Sequence, residues 1–256
     1  MTSQQKNILT ALVFANIVLF CCLAPAGYFV ISQPPGTDPA QSVITIAQSF
    51  LPATPTRRAT VTPTVPIPAP TLEPGWKLSV VSASKFAIAT PPSWEIKTLA
   101  PTNLAAQMDE LAKKNPALAS SLKAQPSEYV AKIKFIGYEA AASVVREGFM
   151  PNVNVMHDVE TTDITLDEAV AAAQKELTSY KPNVRRVKTS AGEIAEFKFT
   201  VPMKLPNNQN VNLASTQYLI LRGRDSYAIS CVHLDKQAAT FAPICEKIGL
   251  SFRWAN

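Results

Sequence analysis

Glycine and histidine are scarce in this sequence, eight and two residues out of 256, and the scarcity removes several kinds of chemistry. No glycine-rich loop is available to cradle a phosphate, and no Gly-x-Ser-x-Gly or His-Glu-x-x-His motif occurs in the C-terminal part of the chain. Hydrolase and nucleotide-dependent readings therefore start without a catalytic signature, and no cofactor is expected. Charge is thin as well. Beyond residue 75 there are 21 Lys or Arg against 17 Asp or Glu, an excess too small to argue for nucleic acid.

What the sequence does have is a long apolar run at its start. Ile8 to Ile31 carry no charged side chain, and a helix over them would be roughly 36 Å long, enough to cross a hydrocarbon core of about 30 Å with some tilt. Two readings stand. In one, the run is an uncleaved anchor, and Tyr28 to Ile31 continue its apolar pattern. In the other it is a signal peptide, with Lys6 as n-region, Ile8 to Leu23 as h-region, and cleavage after Ala26 in Ala24-Pro25-Ala26. Cys21-Cys22 invites a lipoprotein reading, but Leu19-Phe20 stand where an acylated cysteine has small residues. Either way the rest of the chain is expected outside the cytoplasm, as a single-pass membrane protein or a secreted one. Orientation rests on few charges, since Lys6 is the sole basic side chain before the run.

The sequence divides into 1–32 as anchor or signal, 33–75 as linker, and 76–256 as one α+β domain. Ten prolines fall between Pro34 and Pro74, interleaved with threonines, so the linker lacks the apolar surface for a core and is expected to be extended or disordered. As a flexible coil its ends would average roughly 35 to 40 Å apart. Ser42 to Leu51 interrupts this composition with Val43, Ile44, Ile46, Phe50 and Leu51.

From Trp76 onward, segments of period two and period 3.6 follow one another. Strands are expected at Lys77 to Val81, Phe86 to Ala89 and Trp94 to Ile96, with Pro91-Pro92 interrupting the second and third. Helices are expected from Asn103, with Leu104, Met108 and Leu111 on one face, and from Pro116, with Leu118 and Leu122. Further strands cover Lys132 to Tyr138 and Asn152 to Asp158, around a turn at Glu147-Gly148. Thr165 and Glu168 form a capping box that opens a helix with the stripe Leu166, Val170, Ala173 and Leu177. An antiparallel meander follows at Ile194 to Val201, Asn212 to Leu221 and Tyr227 to His233, with turns at Asn207-Asn208 and Gly223-Arg224-Asp225. Phe241, Ile244, Cys245 and Ile248 make a last helix face that Gly249 is expected to end, before a strand in which Leu250, Phe252 and Trp254 alternate.

Three groups of residues carry candidate chemistry. Cys231 on its strand and Cys245 on its helix could meet in a disulfide, and an oxidising exterior favours pairing; two free buried cysteines are the alternative. His157 and His233, with Asp235 beside the second, could hold zinc if their strands were neighbours, although their spacing matches no strong zinc motif. Lys181, Arg185, Arg186 and Lys188 form a basic run that could meet an anionic partner, or simply keep a sheet edge solvated.

The stretch Phe86-Ala87-Ile88-Ala89-Thr90-Pro91-Pro92-Ser93-Trp94, a strand entering a Pro-Trp corner, resembles the opening of PsbP-like domains. Phe149 to Val155 resembles the family's central strand, Thr165 to Tyr180 its long helix, and Gly249-Leu250-Ser251-Phe252-Arg253 its closing helix-to-strand step. The resemblance covers essentially Trp76 to Trp254. It implies an antiparallel sheet between helical layers and a binding or assembly role, and it transfers no catalytic residue. The expected function is a membrane-tethered, non-enzymatic, extracytoplasmic module for a protein or envelope partner. Its rivals are a metal-dependent hydrolase built on His157 and His233, and a carrier holding a small apolar ligand between sheet and helices.

Overall fold

The structure, a computed structural model, describes residues 71–99, 106, 107, 109, 127–139, 141, 149–204 and 209–255. The apolar run at 8–31, Cys21-Cys22, Ser42 to Leu51, the helix from Pro116 and the turns at Glu147-Gly148 and Asn207-Asn208 lie outside these residues, as does most of the helix expected from Asn103, of which Ala106, Gln107 and Asp109 are helical. Among the described residues no helix is long and apolar enough to cross a membrane.

Alternation of side chains produces two antiparallel sheets where the sequence suggested one. Strands β1 (Lys77–Val81) and β2 (Phe86–Thr90) pair with each other, and β2 also takes the short closing strand β10 (Arg253–Trp254), giving a three-stranded sheet ordered β1-β2-β10. The separation begins at the prolines. Neither Pro91 nor Pro92 can donate to a ladder, so the chain turns there, with Trp94 N donating to Pro91 O at 3.2 Å, and β3 (Trp94–Thr98) enters the larger sheet instead.

That larger sheet has seven strands in the order β3-β4-β5-β9-β8-β7-β6. They are β4 (Ile133–Glu139), β5 (Asn152–Val159), β6 (Asn183–Thr189), β7 (Gly192–Lys204), β8 (Asn210–Arg222) and β9 (Asp225–Leu234). The meander β6-β7-β8-β9 runs longer at both ends than alternation alone delimits, because ladder pairing continues through polar ends such as Lys204↔Asn210. Lys132, expected in β4, instead ends a six-residue helix, α1 (Ser127–Lys132). A helix that short shows no apolar period in sequence.

Among the described residues, a helix after β5 packs on one face of the large sheet and the C-terminal helix on the other. Thr165 caps α2 (Leu166–Glu176) in a full capping box with Glu168, and Ala169, Val170, Ala173 and Leu177 are buried with Phe197, Phe199 and Leu219 of the sheet. The opposite face buries Phe241, Cys245 and Ile248 of α3 (Ala238–Leu250) with Val153, Tyr218, Ile229 and Cys231, and the small sheet joins this layer through Phe86 and Ile88. Each large side chain so buried contributes roughly 1.5–3 kcal/mol.

Gly249 does not end α3 through a left-handed turn. It lies inside the helix because the Tyr218 ring presses against it, and an added Cβ would stand 2.0 Å from that ring. Leu250 is accordingly the last helical residue and takes no part in β10.

Candidate functional site

A two-residue turn joins β8 to β9, with Gly223 in the left-handed region at φ +61°, where glycine meets no Cβ penalty. The turn sets Arg222 opposite Asp225. Register then places Tyr227 opposite His157 of β5, and the two rings stack at 4.4 Å, 3° from parallel. His157 Nε2 lies 2.8 Å from Asp225 Oδ1. Tyr227 is buried among Phe86, Phe252 and Trp254, with ring centroids 5.4 to 5.9 Å away, and its hydroxyl donates to Ser84 O at 2.9 Å. Burial first, and the Asp225 charge second, push the Tyr227 phenol well above its ordinary range, so it acts as a fixed donor.

Trp254 is anchored by its indole N–H to Ala191 O at 3.0 Å, while the Arg222 guanidinium lies 5.1 Å from its ring centroid, within cation–π range. Lys85, held in the left-handed region at φ 54°, completes the rim. Together Lys85, Arg222, Asp225, Tyr227 and Trp254 line a cleft of about 440 Å³. Its floor is aromatic and its rim carries two cations, while the one carboxylate is engaged by His157. This is an arrangement for holding a group that is part apolar and part anionic. Among the described residues neither imidazole hydrogen-bonds a serine, threonine or cysteine side chain.

The other candidate residues fall elsewhere. His233 is buried at the far end of β9, six residues or roughly 20 Å from Tyr227 at the strand rise of about 3.3 Å. Its Nδ1 lies 2.8 Å from Leu234 O and its ring packs on Phe241. Burial lowers its pKa, partly offset by the Leu234 carbonyl and Asp235. The strands of His157 and His233 are neighbours, yet the imidazoles sit at opposite ends and cannot share an ion. Asp235 is exposed in a second hollow of about 510 Å³ with Asn210, Asn212 and Lys236. Among the described residues no group of three metal-binding side chains occurs.

Cys231 and Cys245 are joined in a disulfide with Cα atoms 5.5 Å apart, tying β9 to α3. The basic run lies on and just before β6, an edge strand. Arg185 pairs with Glu196 and with Glu246, the latter at 2.6 Å, and Arg186 pairs with Asp167. Lys181 and Lys188 stand exposed without an ion pair among the described residues, so much of the run's charge is spent within the fold. Sequence reading missed the centre of this network, Glu196. Burial alone would raise its pKa, but hydrogen bonds from Arg185 and Tyr218, with the charges of Lys198 and Arg185, hold it below the ordinary value. Glu160, which the sequence offered only as a carboxylate near His157, is buried where β5 ends; its carboxyl accepts from Ser226 Oγ at 3.1 Å and its pKa is raised chiefly by burial. Neither group has a local sequence signal, since each is assembled by register.

No protein-family model matches the chain, and no curated protein matches it. Solved structures similar to it include the PsbP protein of the cyanobacterium Synechocystis sp. PCC 6803, at 8% identity over 70% of this chain and 92% of that one, with a TM-score of 0.43. LpqN of Mycobacterium tuberculosis, described as involved in cell envelope biogenesis, is similar at 10% identity over 67% of this chain and 83% of that one, with a TM-score of 0.41. The Ran-binding protein Mog1p of Saccharomyces cerevisiae is similar at 12% identity over 71% and 96%, with a TM-score of 0.40. PsbP belongs to the family that the sequence resembles. Likeness at this level carries no functional argument.

Proposed function

We propose that this chain is a membrane-tethered, extracytoplasmic binding or assembly module without enzymatic activity. Its folded part captures a protein partner at the cleft of Tyr227, Trp254, Arg222 and Lys85. The cleft is the observation that carries the reading, because it joins a preformed aromatic floor to exposed cations, the combination that dominates binding energy at protein interfaces. The partner that fits presents a carboxylate beside an apolar side chain. The apolar run at 8–31 supports the tether, and the disulfide suits an oxidising compartment. The metal-dependent hydrolase finds no support in histidines that lie so far apart.

Crosslinking capture from native membranes tests the proposal. Trp254→Ala and Arg222→Ala should each reduce capture about tenfold, the size of effect of a central interface side chain, while Lys188→Ala on the edge strand should leave it unchanged. Undiminished capture by both cleft variants would sink the reading, and so would one tightly held zinc per chain accompanied by hydrolytic activity.

A further inference from the structure

We infer that the large sheet, on the face that α2 covers, holds an internal site for a neutral amphiphile whose head carries hydroxyl or amide groups. Register builds the site. Asn154 of β5 stands opposite Ser230 of β9, and Ser230 opposite Gln217 of β8, so three uncharged polar side chains form one row across three adjacent strands. Asn154 and Ser230 are fully buried and Gln217 is 6% exposed. Asn154 Oδ1 and Nδ2, Ser230 Oγ and Gln217 Nε2 all lack a hydrogen-bond partner, as does Asn152 Oδ1 two residues along the same face. No other row of paired residues among the described residues holds more than one such side chain.

A buried donor or acceptor without a partner has given up its bond to water for nothing. Four such atoms side by side therefore point to a molecule that supplies the missing bonds. The row offers both donors and acceptors, which suits a hydroxyl or amide head better than a bare anion or cation. Its surroundings fix the remainder of the ligand. The row continues through Ile136 and Phe197 to Lys97 of β3 and Val184 of β6, and the row beside it runs from Ile133 through Met156, Ala228, Leu219 and Ala195 to Arg186. The charged side chains of these two rows, Lys97 and Arg186, stand on the edge strands β3 and β6, so the body that continues from the head over the inner strands is apolar. This face is opposite the one that carries Tyr227, so the site is independent of the proposed cleft.

The test uses the full chain in phospholipid nanodiscs and a 1-monoacylglycerol bearing a diazirine in its acyl chain. Photolabelling should saturate at one probe per chain, map to peptides of β5, β8 and β9, and be competed by 1-monolauroylglycerol but not by dodecane. Asn154→Leu and Gln217→Leu should each lower labelling about tenfold, and Ser230→Ala by several-fold, the range expected when a ligand hydroxyl loses its partner. Thermal melting keeps the result interpretable, because removing unpartnered polar atoms should leave the melting temperature unchanged or higher, and Ser230→Ala adds no volume. Absence of saturable labelling would mean that the row holds only water and would overturn the inference. Labelling undiminished in all three variants, or competed equally by dodecane, would overturn it too.

Discussion

At the scale of single residues, Glu160 gives the clearest electrostatic consequence. Its carboxyl is buried, one oxygen lacks a partner, and burial raises its pKa with a smaller push from Asp158. A carboxyl raised in the folded state favours folding when protonated, so its contribution is fully present below the unfolded value of about 4.3 and is lost as pH rises through the folded value. Glu160→Gln should therefore raise the unfolding free energy by about 1 kcal/mol at pH 7. That advantage should shrink as pH falls and vanish below about pH 4. Urea midpoints at pH 7 and pH 4 measure it, and a variant less stable at pH 7 would show that the charge is stabilised by Lys132 after all. Such residues were illegible beforehand, since burial of a carboxylate depends on which strand lies beside it. Gly249 teaches the same lesson, because a glycine near a helix end reads as a terminator until the Tyr218 ring is found against it.

At the scale of elements, local signals were readable and pairings were not. The capping box at Thr165 fixes the start of α2 from sequence alone because it is set within one turn, whereas the helix ends at Glu176 and does not run on to Tyr180 and Pro182. By contrast, nothing local says that β2 and β3, separated by Pro91-Pro92, belong to different sheets, or that β5 lies beside β9. That second pairing creates the His157–Tyr227 stack and the buried polar row alike. It also puts Cys231 under α3, whose Cys245 it meets. The disulfide closes a loop of about 15 residues, worth up to roughly 3 kcal/mol in the chain-entropy model. Replacing both cysteines by alanine should lower stability by about that amount, and reductant should shift the wild-type denaturation midpoint in the same direction. Identical midpoints for oxidised, reduced and substituted protein would mean that the two sulfurs act only as small buried apolar groups.

At the scale of the whole molecule, the proposed tether would join the folded unit to a membrane. The folded part begins before Trp76, since Lys247 pairs with Glu73 and Trp76 N donates to Glu73 O at 3.1 Å, with Gly75 turning the chain at φ +84°. Upstream, the Pro- and Thr-rich composition predicts an extended tether in which Arg57-Arg58 is the only basic pair. Exposed, polar, extended segments are where proteases cut first, whereas backbone paired in a ladder resists them. Trypsin added to intact cells or spheroplasts should therefore release a fragment starting at Arg58 or Ala59, while cuts within the paired strands from Lys77 onward require the domain to open. The membrane fraction should retain the apolar run. Full protection until the membrane is lysed would place the domain on the cytoplasmic side and remove the extracytoplasmic assignment. Recovery of a soluble chain beginning at Gly27, without added protease, would instead establish cleavage after Ala26 and turn the tethered module into a secreted one.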